Sequence, residues 1–409
     1  MANPGCPGDD SGLSLPKGFC ASVFADGLSH ARGVAVASNG DVYVALEGTN
    51  TSRENLPTLP HASFAALRDT NGDGRADIIK RVGKLGNTGI GIFNRYLYVD
   101  EGREIVRYAR PDSQLVPSGR EVVVSGIPLQ QHLARNFAFG ADSSLYVNVG
   151  AASNSCQVVD RQRGSPGRDP CAELLDHAGV WRFRADKLNQ VFSPSARFAT
   201  GLRNTMGLAF SADGKLYGTQ HGRDQLLDNW PGIFPSAVYD AENPAEELMQ
   251  INEGDDFGWP YCYYAMDQAK LVDAPEYGGD GRKDSRCTDK KEPLIAFPGH
   301  WAPMSLMFYT GTAFPERYRH GMFVAFHGKW MQHQGDHPGA GIVFQPAVNG
   351  TPSGIFETFA FGFAGPNNKP MSQDTTVHRP VGLAMSPDGA LFVTDDTGGR
   401  IYRITYRPR

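Results

Sequence analysis

GVAVASNGDVYVA, residues Gly33–Ala45, decides the fold of this chain, because the same pattern returns five more times along it. A short alternating strand leads into a turn at Asn39-Gly40 and a second strand follows, which is typical of a β-hairpin. The other copies keep this shape, with a longer turn in the fifth: Gly89–Asp100, Asn136–Gly150, Gly207–Thr219, Leu306–Phe326 and Gly382–Asp395. Such regular recurrence indicates a repeat fold.

The repeats predict a closed ring of sheets. Six copies give roughly 68 residues each, and further strand candidates follow the hairpins, among them Glu104–Tyr108, Val180–Phe183 and Ile342–Gln345. No segment keeps a helical period for more than about ten residues, and six sheets closed radially leave only short protected edges. We therefore predict an all-β, six-bladed β-propeller with four-stranded antiparallel blades, formed by residues 1–409 as a single domain. The last strand, Arg400–Tyr406, is expected to pair with the N-terminal region.

The composition limits the partners of this protein. A net charge of -5 and a pI near 6.1 give no basic footprint, so we expect no nucleic-acid partner. No run of about 18 apolar residues is present, so we expect no membrane span. Met1–Asp10 has neither the basic nor the apolar region of a signal peptide, so the compartment has to be inferred from the cysteines.

The six cysteines form three pairs that are close in sequence: Cys6 with Cys20, Cys156 with Cys171, and Cys262 with Cys287. Each pair brackets a Gly/Pro/Asp-rich loop, which a cross-link stabilises by restricting the unfolded chain, and none has the CxxC spacing of a zinc or redox site. We predict three disulfides, with free buried thiols as the alternative, and hence a periplasmic or secreted protein. Residues 1–15 are expected to be an extended segment tethered by the first disulfide.

Polar residues flank the hairpins. In a propeller the loops entering the first strand and leaving the second strand of every blade meet at one mouth, so these flanks are expected to converge. Among them are His30, Arg32, Asn87, His132, Arg135, Arg203, Asn204, His378 and Arg379 before the hairpins, and Glu47, Asp100, Glu101, Gln220, His221, His327, Lys329, Asp395 and Asp396 after them. Recurrent arginines in an acidic chain suggest an anionic ligand, a polycarboxylate or a phosphate, with ordinary solvated loops as the alternative.

Two histidines and one loop are candidates for chemistry. His132 enters the third copy and His327 leaves the fifth, and both are candidate bases, although a lone histidine is more often structural. The loop DTNGDGRAD has oxygen donors at alternate positions, as calcium loops do: Asp69, Asn71, Asp73 and Asp77. Lys80 stands where a calcium loop has its twelfth-position Glu, so a plain Asx-turn is the alternative.

Five stretches carry a resemblance to a known family: GLRNTMGLAF (Gly201–Phe210), TQHGRDQ (Thr219–Gln225), NEGDDFGWPYCYY (Asn252–Tyr264), FVAFHGKW (Phe323–Trp330) and RPVGLAMSPDGALFVTDD (Arg379–Asp396). Together they resemble the soluble quinoprotein glucose/sorbosone dehydrogenases, six-bladed propellers that use pyrroloquinoline quinone (PQQ) with calcium. The stretches span most of the chain, and their order is much more specific than any one of them.

The resemblance implies an oxidoreductase that oxidises a sugar, or a related alcohol, hemiacetal or aldehyde, and passes electrons to an external acceptor. It implies His132 as the general base, which takes the hydroxyl proton while hydride passes from the substrate carbon to the quinone C5. Arg203 and Asn204 fall on the family's pair that contacts the quinone oxygens. An arginine there would also stabilise the alkoxide that develops at C5.

The resemblance also implies the rest of the cofactor site. The family's quinone-contacting Lys falls on Lys329 and a C-terminal Arg on Arg379, and these cations match the three carboxylates of PQQ; Arg32 and Asn87 face the same mouth. Backbone carbonyls in the fourth blade hold the family's active-site calcium, which would polarise the quinone carbonyl. In this sequence they are the carbonyls of Gly222 and Arg223.

Three departures leave the substrate open. Val381 replaces a second C-terminal Arg of the glucose-oxidising members, Gln131 replaces a carboxylate before the catalytic His, and Leu226–Asn243 is an insertion. Two other functions stay possible. A calcium-dependent lactonase or esterase would need axial Asp, Asn and Glu around a metal, whereas this axis is rich in Arg and Lys. A non-catalytic binding propeller would use exposed aromatic residues, for which Phe257–Tyr264 and Trp301 are the candidates.

Overall fold

Six sheets of four antiparallel strands lie around one axis in the computed structural model, which describes residues 6, 8–28, 30–48, 62–328, 339–348, 350–365 and 376–407. Strands are numbered along the chain, and the first, β1 (Phe19–Ala25), belongs to the last blade. The predicted six-bladed β-propeller is therefore confirmed.

The first three blades follow one another along the chain. Blade 1 consists of β2 (Ala31–Val36), β3 (Val42–Leu46), β4 (Phe64–Arg68) and β5 (Ile78–Val82). Blade 2 consists of β6 (Ile90–Phe93), β7 (Tyr96–Asp100), β8 (Ile105–Ala109) and β9 (Ser118–Ser125). Blade 3 consists of β10 (Phe137–Phe139), β11 (Ser144–Val149), β12 (Gly179–Arg184) and β14 (Arg197–Thr200), and the short β13 (Gln190–Val191) between its last two strands pairs in parallel with β9.

The other three blades complete the ring. Blade 4 consists of β15 (Thr205–Phe210), β16 (Leu216–Gln220), β17 (Glu246–Ile251) and β20 (Ile295–Phe297), with the hairpin β18 (Cys262–Ala265) and β19 (Lys270–Asp273) between its last two strands. Blade 5 consists of β21 (Pro303–Phe308), β22 (Met322–His327), β23 (Ala340–Gln345) and β26 (Glu357–Ala360), with the hairpin β24 (Ala347–Val348) and β25 (Thr351–Pro352). Blade 6 consists of β27 (Pro380–Met385), β28 (Leu391–Asp395), β29 (Ile401–Tyr406) and β1.

Each predicted hairpin forms the first two strands of a blade. In blade 1, Ala35 lies opposite Tyr43 and the intervening turn is closed by the Ala37 amide, which donates to the Asp41 carbonyl at 2.8 Å. Gly40 has a φ of +88° in this turn, a conformation that glycine adopts without steric cost. The innermost strands β2, β6, β10, β15, β21 and β27 contact one another around the axis.

The N-terminal strand closes the ring. β1 pairs antiparallel with β29, with Phe19 opposite Tyr406, as the sequence predicted for the last strand. The Phe19 ring is 1% exposed and contacts the rings of Phe314, Tyr318 and Phe359 edge-on. Because Phe314, Tyr318 and Phe359 lie in blade 5, this contact joins blades 5 and 6.

All three predicted disulfides are present, joining Cys6 to Cys20, Cys156 to Cys171 and Cys262 to Cys287. Helices are short. The α-helices are α1 (Leu226–Asn229) and α2 (Ala237–Glu242), both in the insertion, and the 3-10 helices are Ala172–Leu175, Pro194–Ala196, Pro275–Tyr277 and Glu316–Tyr318. Within the described ranges, no helix has the length and apolar character needed to cross a bilayer.

The expectation of exposed aromatic residues is wrong. Phe257, Trp259, Tyr263 and Trp301 are each less than 10% exposed, and Phe257 and Trp301 belong to apolar clusters within and beside blade 4. The loop that carries Phe257 and Trp259 bonds back to the edge of blade 3, where their amides donate to the carbonyls of Thr200 and Gly201, both at 3.1 Å, and Tyr263 lies in β18. Their rings therefore pack inside the molecule rather than on its surface.

Candidate active site

A cavity of about 390 Å³ lies where the flanks of four blades meet. Its lining residues come from the entry loops of blades 3 to 6, from the ends of β16 and β22, and from the loop between Cys156 and Cys171: His132, Arg161, Arg203, His221, Gly222, Asp224, Glu246, His300, Ala302, His327, Gly328 and Arg379. On the axis, Met206, Met304 and Val381 pack together in a small apolar cluster.

His132 presents one unprotonated nitrogen at the cavity. Its Nδ1 lies 2.7 Å from the carbonyl oxygen of Ala151, so the ring proton belongs on Nδ1 and Nε2 keeps its lone pair. Burial, together with the positive charge of Arg203, lowers the pKa of His132 to about 3. The imidazole is therefore neutral near pH 7, which is the state that a general base requires.

Arg203 is held by hydrogen bonds on all three nitrogens. Nε donates to the Asn154 carbonyl at 3.0 Å and Nη2 to the Asn154 side-chain oxygen at 2.9 Å. Nη2 also meets the Asp224 carboxylate at 3.0 Å, and Nη1 donates to the Gly222 carbonyl at 2.6 Å. The guanidinium is thus fixed in one orientation at the wall of the cavity.

The neighbouring Asn204 has spare hydrogen-bonding capacity. Its Nδ2 lies 3.4 Å from Nδ1 of His221, whose Nε2 is 3.1 Å from the Pro303 carbonyl oxygen. The Oδ1 atom of Asn204 is buried and has no hydrogen-bond partner among the described residues. An unpaired buried acceptor is costly, so this oxygen is suited to an N–H or O–H group of a bound ligand.

A histidine–carboxylate pair forms the opposite wall. His327 Nε2 lies 2.9 Å from Asp396 Oδ1, and Arg32 Nη1 donates to Asp396 Oδ2 at 2.6 Å. Burial opposes ionisation of Asp396, but His327 and Arg32 hold its pKa well below the usual value. Arg379 donates through Nε to the His327 carbonyl at 2.8 Å, which ties blade 6 to blade 5 at this wall.

An acidic wall adjoins the Gly222 backbone. Glu246 accepts hydrogen bonds from the amides of Gly222 at 3.0 Å and Ala302 at 3.1 Å, and burial raises its pKa to about 7. Burial also opposes ionisation of Asp224, but the charges of Arg203 and His300 hold its pKa well below the usual value. Carboxylate and carbonyl oxygens of this kind are ligands that Ca²⁺ prefers.

The Arg223 side chain points away from this wall. Its Nη1 lies 2.6 and 2.5 Å from the two oxygens of the Glu276 carboxylate, and Trp230 Nε1 donates to the same carboxylate at 2.9 Å. Arg223 and Glu276 are both buried. The pair therefore anchors the backbone of Gly222 and Arg223, whose carbonyls are the predicted calcium ligands, to the loop after β19.

The structure brings most of the predicted residues together. His132, Arg203, Gly222 and Arg379 line the cavity, and Asn204 contacts His221, which also lines it. Arg32 and Asn87 are not among the residues that line it. Arg32 donates to Asp396, which bonds to the lining residue His327, and Asn87 donates to the Leu133 carbonyl at 2.7 Å. Lys329 lies outside the described residues. Arg161, Asp224 and His300 were not predicted. Arg161 lies in the loop between Cys156 and Cys171, outside the flanks of the repeat, whereas Asp224 directly follows Arg223 after β16 and His300 lies in the entry loop of β21.

In the DTNGDGRAD loop, aspartate side chains accept hydrogen bonds from the loop's own backbone amides. Asp69 accepts hydrogen bonds from the amides of Gly72 and Gly74, and Asp77 accepts one from the Thr70 amide. Among the described residues, three His, Cys, Asp or Glu ligand atoms come within 4.8 Å of one another at Cys156, Cys171 and Glu173 and not in this loop, and both of those sulfurs are in a disulfide. Calcium at Asp69, Asn71, Asp73 and Asp77 stays a prediction.

Comparison with known proteins identifies relatives along the whole chain. The family model described as TrAA12-like matches residues 13–407. The chain is 23% identical over 448 aligned positions to a pyrroloquinoline quinone-dependent pyranose dehydrogenase of Coprinopsis cinerea, covering 98% of this chain and 56% of that protein. It is 22% identical to a pyrroloquinoline quinone-dependent sugar dehydrogenase of Hypocrea jecorina, covering 72% and 67%. The chain spans about half the length of the first curated relatives that it matches.

The fold has a counterpart among solved structures. The PQQ domain of the Coprinopsis cinerea pyranose dehydrogenase, in its holo form, superposes with a TM-score of 0.76 at 20% identity, over 99% of this chain and 100% of that domain. At this identity the likeness concerns the fold, and it agrees with the six blades described above.

Proposed function

The chain belongs to the TrAA12-like family, a family of PQQ sugar dehydrogenases, and on that premise we propose that it oxidises a sugar with PQQ and calcium. The observation that carries the proposal is the arrangement at His132. His132, whose Nδ1 is engaged by the Ala151 carbonyl so that Nε2 is left unprotonated, lines a cavity that is also lined by two arginines expected to hold an anionic cofactor, Arg203 and Arg379. The substrate is a pyranose, aldose or related hemiacetal, and electrons leave to an external acceptor.

The residues present fit the cofactor. PQQ carries three carboxylates, for which Arg203 and Arg379 supply charge-assisted donors, and Lys329 would supply another. Asn204 Oδ1, buried without a partner within the described residues, would accept from an N–H of the ring system. When bound, the quinone accepts the hydride that leaves the substrate carbon.

The acidic wall fits the metal. The Gly222 and Arg223 carbonyls would hold Ca²⁺, and Asp224 and Glu246 lie at the same wall and add hard oxygen ligands. Arg203 donates to the Gly222 carbonyl and to Asp224 in this structure, so a bound cation would share these oxygens with the guanidinium. The divalent charge would stabilise a developing oxyanion.

The protein's own residues handle the proton. His132 Nε2 takes the hydroxyl proton of the substrate, while the Ala151 carbonyl stabilises the imidazolium through Nδ1. The fixed guanidinium of Arg203 costs no reorganisation when negative charge develops beside it. His132 and Arg203 are accordingly the proposed catalytic residues, with Asn204, Lys329, Arg379, Arg32 and Asn87 on the cofactor side.

The three disulfides support an oxidising compartment, the periplasm or the cell exterior. Reconstitution tests the function directly. Apoprotein mixed with PQQ and Ca²⁺ is expected to gain bound-quinone absorbance and to reduce a dye in the presence of at least one member of an aldose panel. Absence of both signals, or hydrolysis of a lactone panel without PQQ, would contradict the proposal.

A further inference from the structure

We propose that Asp160 and Arg161, carried on the loop that the Cys156–Cys171 disulfide closes, form a subsite for two neighbouring hydroxyl groups of the sugar. The subsite holds the part of the ring that does not react. The inference rests on the proposed function, sugar oxidation, and adds the residues that select among sugars.

Asp160 and Arg161 lie beside the proposed base. Arg161 lines the same cavity as His132, and Gln131, the residue before His132, donates through Nε2 to Asp160 Oδ2 at 3.4 Å. The Asp160 and Arg161 side chains are 32% and 30% exposed, whereas that of Arg203 is 4% exposed. Arg161 therefore lies at the solvent side of the cavity, with the Asp160 carboxylate beside it, where the solvent-facing side of a bound sugar would lie.

The loop holds Arg161 in a fixed conformation. The Gln157 side chain, 1% exposed, accepts from the Arg161 amide at 2.9 Å and donates to the carbonyls of Gln162 and Ser165, both at 3.1 Å. The Gly164 amide donates to the Asn229 carbonyl of α1 at 2.9 Å. These contacts, with the disulfide, make the loop a rigid support rather than a solvated surface segment.

Two unfavourable backbone conformations meet at this point. Arg161 has a φ of +57° and Gln225 a φ of +64°, in the left-handed region that residues other than glycine rarely adopt. Their side chains contact each other, since Arg161 Nη1 donates to Gln225 Oε1 at 2.9 Å. Strain of this kind persists where surrounding contacts impose it, and it concentrates at ligand-binding sites.

The charges favour a neutral ligand. Arg161 Nη2 meets the Asp224 carboxylate at 2.9 Å and Nε lies 3.9 Å from Asp160 Oδ2. Arg161 and Arg203 share the Asp224 carboxylate, so together with Asp160 these two guanidiniums and two carboxylates carry no excess positive charge for an anionic sugar. Polar groups without excess charge are suited to hydroxyls.

The hydrogen-bonding capacity that remains fits a diol. Asp160 Oδ1 accepts from the Asn154 amide at 3.0 Å, while Oδ2 has only the long contact from Gln131. The Nε–H of Arg161 lies too far from Asp160 to donate to it. One hydroxyl can therefore donate to Asp160 Oδ2 while its neighbour accepts from Arg161 Nε, and a sugar ring supplies hydroxyls in such adjacent pairs.

Enzyme kinetics on the PQQ- and Ca²⁺-loaded protein test the subsite, with an aldohexose panel and the monodeoxy analogues of each sugar. Arg161→Gln and Asp160→Asn are expected to raise KM for the best aldohexose about tenfold and to leave kcat within about twofold, because the contact is the same before and during the reaction. For the monodeoxy analogue that lacks the contacted hydroxyl, the variants and the wild type are expected to have the same KM, because the contact is already missing. Arg163→Gln, an exposed arginine of the same loop, is the control and should behave as wild type.

A binding measurement separates this subsite from the proposed function. Methyl glycosides lack the reactive anomeric hydroxyl, so calorimetry measures their affinity without turnover. Suppose that the holoprotein oxidises no sugar, but that Arg161→Gln binds a methyl glycoside more weakly than wild type does. This result would overturn the proposed dehydrogenase activity and support the subsite. If wild type, Arg161→Gln and Asp160→Asn have the same KM and the same affinity, the subsite proposal is overturned. Thermal unfolding of Asp160→Asn like that of wild type would show that the variant is folded.

Discussion

Three imidazoles at the cavity are kept neutral by their surroundings. Burial lowers the pKa of His132 to about 3, that of His221 to about 3 and that of His327 to about 4. Because the pKa of these histidines is lower in the folded chain, the unfolded chain binds protons below the ordinary histidine pKa that the folded chain does not bind. These groups therefore cost stability as the pH falls from the ordinary histidine value towards 4, and cost none at neutral pH.

The neutral state of His132 gives a prediction that needs no cofactor. In the apoprotein, the imidazole Cε1–H resonance of His132 is expected to keep one chemical shift from pH 8 to pH 5, because the ring gains no proton in that range. The resonance is assigned by its loss in His132→Gln. A titration with a midpoint near 6.5, the ordinary value, would contradict the lowered pKa of His132.

The choice between two candidate bases gives a second prediction. His132→Ala is expected to bind PQQ with wild-type affinity and to reduce dye about 10² to 10⁴ times more slowly, since only proton abstraction is removed. His327→Ala should lose less, because its Nε2 is engaged by Asp396. His320→Asn, at an exposed position with a φ of +65°, serves as control. The reverse order of effects would assign the base to His327.

The sequence located several residues that flank the repeats, missed others such as His300 before β21, and missed Arg161, which lies outside the flanks. His132 and Arg379 each enter a blade, so the periodicity of the hairpins predicted their convergence at one mouth. Arg161 lies in the loop that the Cys156–Cys171 disulfide closes and His300 in the entry loop of β21, and both have left-handed backbone conformations. No local pattern in the sequence encodes these contacts.

At the level of elements, hairpins were predictable and the insertion was not. Alternating residues and a two-residue Asn-Gly turn specify a strand pair locally, whereas α1 and α2 have four and six residues. Helices this short are marginal without tertiary contacts. α1 and the segment that follows it pack against the rest of the loop region through residues such as Leu226 and Phe234, which are distant in sequence from their neighbours.

The anchor of this region, the buried pair of Arg223 with Glu276, gives a third prediction. Glu276→Gln removes the charge and keeps the size, which leaves a buried guanidinium unpaired and should lower the free energy of unfolding by about 3 to 5 kcal/mol. Denaturant unfolding measures the loss. Glu253→Gln breaks the exposed pair of Glu253 with Arg182 and should cost less than about 1 kcal/mol. If Glu276→Gln and Glu253→Gln lowered the free energy of unfolding equally, burial would not explain the contribution of the Arg223–Glu276 pair to stability.

The ring as a whole depends on one short strand. β1 comes from the start of the described chain and completes blade 6, so blades 5 and 6 are joined by residues that are more than 290 positions apart in sequence, as for Phe19 and Phe314. Phe19→Ala empties an aromatic site that Phe314, Tyr318 and Phe359 surround. We expect the free energy of unfolding, measured by denaturant-induced unfolding, to fall by about 3 to 5 kcal/mol. Phe361→Ala, at a 39% exposed ring, is the control, and a similar small loss in both would contradict closure by β1.

The cavity takes its lining from blades 3, 4, 5 and 6, so a ligand that fills it binds only the closed ring. Binding to the folded state alone stabilises it by about 2.7 kcal/mol at a ligand concentration 100 times Kd. PQQ with Ca²⁺ is therefore expected to raise the melting temperature by a few degrees, and Arg203→Gln should reduce the rise because it removes donors on one wall. Arg163→Gln should keep the full rise. A melting temperature that PQQ and Ca²⁺ leave unchanged would contradict binding of the cofactor to the folded protein.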